Sequence, residues 1–287
     1  MRMICSLVAA VVLAGSHQAV AQQQIEWKQV VNSPKGAGLP AGVHAAILGI
    51  APGDDYERVK QIAEDLAKED REYDYHVKNN DVHRALVRDT QVRFDIPIPG
   101  SGSITATYHR RIEIARNLKG SAREAIYDNI DIYFSAPSSG NQVSSISRRM
   151  LYHNVNDQPR ISEIIGSLRS TFGYSGQYVE ESGLKKIMFQ YDGGKPVMTR
   201  NPILSRCERW TARVIQQVDL PSINKVGNCD VVYEATFKPG LSSDHAYELT
   251  FFLSDNERAK ANVTADYNFF QQYVNSLKGK ARSAPKL

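Results

Sequence analysis

Two serine signatures are the first places to look for chemistry in this chain. Ser182-Gly183-Leu184-Lys185 has the S-x-x-K spacing of serine-lysine acyl transfer, and Ser254-Asp255-Asn256 reads as its companion S-D-N tripeptide. That reaction needs the serine at a helix start with the lysine one turn later, so that the amine can take the hydroxyl proton. Here Ser182-Gly183 follows a loop and Lys185 enters an alternating pattern, which sends neighbouring side chains to opposite faces. No K-T-G or K-S-G follows Ser254, and Ser254 to Asn256 already suits a helix cap. A second constellation is Asp74, His76, Asp81 and His83, whose paired spacing could gather a metal with oxygen and nitrogen ligands. Tyr73, Tyr75, Lys78 and Arg84 surround them in a strongly polar segment, where a solvated loop or edge strand is the better reading. His44, His109, His153 and His245 have no partner in sequence, and no G-x-S-x-G, H-E-x-x-H, P-loop or dinucleotide fingerprint is present. No catalytic residue, metal ligand or cofactor is assigned.

Aromatic residues and cysteines are more informative. The chain has 14 tyrosines, and Tyr73, Tyr75, Tyr174 and Tyr178 fall in loop-like segments where an exposed ring beside arginine would suit a protein interface. Phe269, Phe270 and Tyr273 on the last helical stretch read as core. Of three cysteines, Cys5 lies in the leader, which leaves Cys207 and Cys229 as a structural disulfide pair in an oxidising compartment. A redox or zinc role would favour closer spacing.

The elements that must position these residues follow from periodicity. The leader comprises residues 1–21: Arg2, an uncharged apolar run from Ile4 to Gly15, and Ala19-Val20-Ala21 as a cleavage site, the layout of a secretory signal peptide. That run is shorter than the roughly 20 residues a membrane-spanning helix needs. Residues 22–42, rich in Gly and Pro at their end, form a flexible lead-in. Val43 to Ile50 is a short apolar run that fits a buried strand. Asp54 or Asp55 caps a helix carrying Tyr56, Val59, Ile62, Ala63 and Leu66 on one face. Alternation then takes over at Val92 to Ile98, Ile112 to Ile114 and Ile130 to Phe134, the pattern of an antiparallel meander with one buried face. Helical period returns from Ile161 to Phe172 and stops at Gly173. Strands resume at Lys186 to Tyr191, Trp210 to Gln216, Asp230 to Lys238 and Ala246 to Ser254, before a final helix with a Val263, Tyr267, Phe270, Val274 and Leu277 stripe.

The fold class is therefore α+β: two helix-plus-antiparallel-sheet units, 43–155 and 156–278, arranged as a duplication that shares a continuous sheet. The formal charge of +4, with acids and bases interleaved, gives no nucleic-acid footprint. A basic tail at 279–287, with Lys280, Arg282 and Lys286, is a solvated terminus or a contact for an anionic surface.

Several short motifs carry a resemblance. Gly49-Ile50-Ala51-Pro52-Gly53 precedes an amphipathic helix; Asp131 to Pro137 is followed by Gly140 and Ile146-Ser147-Arg148; Leu168 to Gly173 and a strand led by Cys229 and closed by Ser254-Asp255 complete the set. Together they resemble exported proteobacterial proteins of unknown function, similar in plan to the beta-lactamase inhibitor protein fold, in which helices lie against an antiparallel sheet. That resemblance brings no catalytic residues. The expectation is an exported, periplasmic or secreted protein, disulfide-stapled and non-catalytic, that binds another protein or an envelope component through its sheet surface and loops. The alternatives are a small hydrolase of envelope polymers or peptides, and a structural or assembly factor.

Overall fold

Asp55 begins the first helix by accepting a hydrogen bond from the Arg58 amide at 2.9 Å, so α1 runs Tyr56–Ala67. The computed structural model describes residues 25, 27, 39–69, 86–98, 102–119, 123–198, 207 and 229–282. Four strands follow α1: β1 Leu86–Ile98, β2 Gly102–Asn117, β3 Ile126–Phe134 and β4 Val143–Tyr152. The second helix, α2, spans Ile161–Phe172 and ends at Gly173, whose φ of 71° is the left-handed geometry that favours glycine. It leads into β5 Gln177–Glu181, β6 Leu184–Asp192, the two-residue β7 Lys195–Pro196, β8 Val231–Pro239 and β9 Ala246–Asp255. The last helix, α3, covers Asn256–Arg282 and takes in residues 279–282 of the basic tail. Asp255 caps it through the Arg258 amide at 2.8 Å.

All strands join one antiparallel sheet in the order β1-β2-β3-β4-β9-β8-β6-β5, with β7 on β6. Among the described residues the first helix is followed by four strands and the second by four longer strands and the two-residue β7, and the last strands of the two sets, β4 and β9, pair at the centre. The sheet is thus continuous across the two expected units.

Register decides what each face carries. One row runs Ile114, Ile130, Arg148, Phe251, Ala235 and Ile187 across six strands. The adjacent row runs Ile112, Ile132, Ile146, Leu253, Tyr233 and Phe189. Val59 and Ala63 of α1 and Ile161, Ile165 and Phe172 of α2 belong to the same buried cluster as these rows, so both helices cover this face. Each isoleucine buried there contributes about 2 kcal/mol of apolar transfer.

Three charges interrupt the helix-covered face. Asp128, fully buried, accepts from Arg116 Nε and Nη2 at 3.0 and 2.8 Å and from Arg148 Nε and Nη2 at 2.8 and 3.0 Å. Arg116 also donates to the Leu66 carbonyl at 2.9 Å and to Glu69. The cluster therefore ties the end of α1 to β2, β3 and β4.

The run Val43 to Ile50 is not a strand. Ile47 and Ile50 exchange backbone hydrogen bonds of 2.9 and 3.0 Å as one isolated bridge. Leu48 and Gly49, both at positive φ, fold the chain back between them. Its apolar side chains are still buried, because Ala45, Ile47 and Ile50 sit in the main core. In the lead-in, Ile25 and Trp27 are docked: the Ile25 amide donates to Thr105 O, and Trp27 Nε1 to Thr107 O, each at 3.2 Å. Trp27 stacks on Phe269 and meets Tyr108 and Phe270 edge-on, a cluster that confirms Phe269, Phe270 and Tyr273 as packing residues.

Candidate binding face

Side chains alternate across a strand, so the residues between the core positions must face away from α1 and α2. On this open face one row reads Arg88, Glu113, Asp131, Ser147, Phe252, Glu234, Met188 and Gln177, crossing eight strands. The next reads Ala115, Asn129, Arg149, Thr250, Thr236, Lys186 and Val179. Beyond it stand Tyr127, Leu151, Glu248 and Lys238. Short hydroxyl side chains (Ser147, Thr250 and Thr236) fall along the central seam, with longer charged and aromatic groups on either side.

Those longer groups are tied together. Arg111 pairs with Asp131 and, at 3.3 Å, with Glu113, and its guanidinium sits 5.7 Å from the centre of the Tyr133 ring. Arg149 Nε donates to Glu248 at 2.9 Å, and Lys238 Nζ donates to the other oxygen at 3.2 Å. The hydrogen bond from Arg149 holds the Glu248 carboxyl below its usual pKa, against the effect of burial and with help from Lys238. Lys238 lies 5.9 Å from the ring centre of the exposed Tyr247. The face is bounded where α3 crosses the sheet end at the Pro137–Ser139 turn. There the buried Asp266 accepts from Ser138 Oγ at 2.6 Å and from the Ala136 amide at 3.1 Å. Burial raises its carboxyl to about 6 despite these donors. A second boundary is the disulfide-compatible pair Cys207 and Cys229, with Cα atoms 5.1 Å apart, which packs with Val197 on Val232.

The tyrosines singled out by sequence separate. Tyr73 and Tyr75 lie outside the described residues, as do Asp74, His76, Asp81 and His83. Tyr174 braces β6: its hydroxyl accepts from the Gln190 amide at 2.7 Å and donates to the Gln190 carbonyl at 3.2 Å, while its ring packs on Phe189 and Tyr191. Burial raises its pKa. Tyr178 sits on the edge strand β5, exposed, in the helix-side register with its hydroxyl 3.4 Å from Glu180. Sequence reasoning missed Tyr127, Tyr133 and Tyr247. For Tyr127 and Tyr133 parity was the available signal: once Ile130 and Ile132 are core, the odd positions of β3 must face outward. Tyr247 shares the parity of the buried Leu249 and is turned out by the bulge opposite Lys238 and Pro239, which alternation does not show.

Other clusters are local. Ser182 and Gly183, at φ 51° and 76°, form the two-residue turn between β5 and β6. Lys185 Nζ donates to the Ser243 carbonyl at 2.5 Å, so this serine and lysine share a hairpin rather than a helix start. Ser254 Oγ donates to Asn256 Oδ1 at 2.9 Å inside the α3 cap. Ser242 Oγ and His245 Nδ1 are 2.7 Å apart in the exposed β8–β9 turn, but Asp244 is occupied by the Ser162 amide and hydroxyl. Asp89 accepts from the Tyr56 hydroxyl at 2.6 Å and lies 2.7 Å from His109 Nδ1 without hydrogen-bond geometry, with the Tyr56 and His109 rings stacked 4.3 Å apart, a brace from α1 to the β1–β2 pair. A cleft of about 200 Å³ lies between residues 39–52 and the start of α3, with His44, Asp255 and Arg258 in its lining. Among the described residues, no three metal-ligating side chains converge, and no helix is long and apolar enough to cross a membrane.

No protein-family model, curated protein or solved structure matches the chain.

Proposed function

We propose that the protein is a non-catalytic binding protein, exported to the periplasm or beyond, which takes another protein or an envelope component on the open face of its sheet. The observation that carries this reading is the open face itself. The row from Asn129 through Arg149, Thr250, Thr236 and Lys186 to Val179 stays accessible across six strands. So do Arg88, Glu113, Asp131 and Ser147 of the neighbouring row, whereas Phe252, Glu234, Met188 and Gln177 of that row are buried; the opposite face is used by the core. Such a platform offers many hydrogen-bond and ring contacts without a deep pocket, which suits a macromolecule better than a small substrate. The resemblance to the beta-lactamase inhibitor protein plan points the same way. The leader at 1–21 and the cysteine pair support export to an oxidising compartment.

A photo-cross-linking residue at Ser147, on the central seam, tests the face in periplasmic extract against the same residue at Glu57 on α1. Discrete adducts from position 147 and none from 57 are expected. Adducts from 57 alone, or none from either, refute the reading. A hydrolase is the second reading, and the Ser242–His245 contact is the feature that favours it; labelling of Ser242 by a fluorophosphonate probe would establish it.

A further inference from the structure

The open face has a vertical order of charge. Arg149 is 53% exposed and Lys238 48%, above a shared Glu248 that is 14% exposed. Arg88 is 59% exposed over Glu113 at 26%. Lys186 is more exposed than the buried Glu234 it contacts. Arg111 stands level with Asp131 and little above Glu113, and the exposed Glu181 of β5 lies at the far edge of the face. An approaching surface therefore meets cations first, and at the Arg149–Glu248–Lys238 group it meets two bases for one acid. Glu248 engages Arg149 through Nε, which leaves the forked outer pair of that guanidinium for an incoming carboxylate. Tyr127 and Tyr247 stand exposed beside this group and supply ring area.

We infer that the partner is a protein whose contact surface is acidic, with its carboxylates received by Arg149 and Lys238 of the open face. This rests on the open-face reading proposed above and adds the partner's chemistry to it. A protein is favoured over an anionic membrane because the seam offers hydroxyl and amide groups (Ser147, Thr250, Asn129) matched to peptide hydrogen bonding. Among the described residues the exposed apolar groups toward this group are Tyr127, Tyr247, Leu184 and, in the β8–β9 turn, Leu241, two isolated aliphatic side chains that make no amphipathic stripe to enter a bilayer.

The test titrates the mature full-length protein with poly-L-glutamate and, separately, with phosphatidylglycerol vesicles. It compares the parent with Arg149→Ser/Lys238→Ser and with Arg160→Ser/Lys60→Ser, a control that removes equal charge at α1 and at the start of α2, away from the face. Poly-L-glutamate affinity should fall about tenfold in the first variant, less than about twofold in the control, and further as salt is raised. Equal losses in both variants would overturn the inference, because net charge alone would then explain binding. Vesicle binding that depends on Arg149 and Lys238, without polyglutamate binding, would replace the protein partner with a lipid surface. The Ser147 cross-link separates the two levels. An adduct whose contact surface is not acidic overturns the partner chemistry and leaves the face intact, whereas no adduct removes both.

Discussion

Asp128→Asn isolates the most consequential charge in the core. The aspartate is fully buried and accepts four hydrogen bonds, two from Arg116 and two from Arg148. Arg116 is 2% exposed and Arg148 16%, so neither guanidinium can recover full hydration when the carboxylate is neutralised. The amide keeps one acceptor oxygen and turns a donor NH2 toward groups that only donate. Removing one partner of a buried ion pair costs about 3 to 5 kcal/mol. The lower end applies here, because Arg116 retains the Leu66 carbonyl and Glu69. Urea unfolding followed by circular dichroism should show a lower midpoint with an unchanged slope, and added salt should not restore it, since buried pairs are poorly screened. A loss below about 1 kcal/mol would put the cluster in the range of a surface pair and refute the reasoning. A second arm removes Arg148 as well: in an Arg148→Met background the cost of Asp128→Asn should shrink by about 1 to 3 kcal/mol, and full additivity would deny the coupling.

Asp266 makes stability fall as pH rises. Its carboxyl titrates near 6 in the fold against 3.8 ordinarily, so the unfolded chain releases that proton first. Across that window the fold loses up to about 3 kcal/mol relative to an Asp266→Asn variant, which should lack this component; parallel pH curves for the two proteins would contradict it. Replacing both Cys207 and Cys229 by serine should cost about 3 kcal/mol by the chain-entropy estimate, and reductant should lower the melting temperature of the parent but not of the variant. Among the described residues Ser145 Oγ is buried without a hydrogen-bond partner, so Ser145→Ala should be neutral or stabilise by about 0.5 to 1 kcal/mol. A clear destabilisation in thermal unfolding would show that the hydroxyl is satisfied.

How much of this could be read beforehand follows from the range of each interaction. The helices were legible because Val59 and Ala63, or Ile161, Ile165 and Phe172, repeat on a local period, with Asp55 and Gly173 marking one boundary of each helix. The strands were legible by alternation, as Ile130, Ile132 and Phe134 show. The turn at Leu48-Gly49 was missed, because eight mostly apolar residues say that a segment is buried without saying whether it is straight. The pairing of β4 with β9 was beyond reach in detail, since no residue in Ile146-Ser147-Arg148 names Phe251 to Leu253 as its neighbours. The open face suffered a related blindness: its residues are polar and irregular, and only the register lines Arg149 up with Glu248 and Lys238. The Asp89, His109 and Tyr56 brace draws on three elements and left no motif.

The central seam also governs how the chain can be wired. Within each set, strands β1 to β4, and β5, β6, β8 and β9, meet neighbours mainly through nearby partners, whereas β4 and β9 join positions roughly a hundred residues apart. The seam is therefore the strand pairing with the largest loop-closure cost among the described residues, and opening it bares two strand edges of matching register. A short passage around Val155–Asp157 links the sets. Two chains that exchange their second sets would rebuild the same seam with the same hydrogen bonds, so a swapped dimer needs no new interface. Concentration during folding, rather than any residue on the surface, would then decide whether one molecule presents a single open face or two molecules present a linked pair.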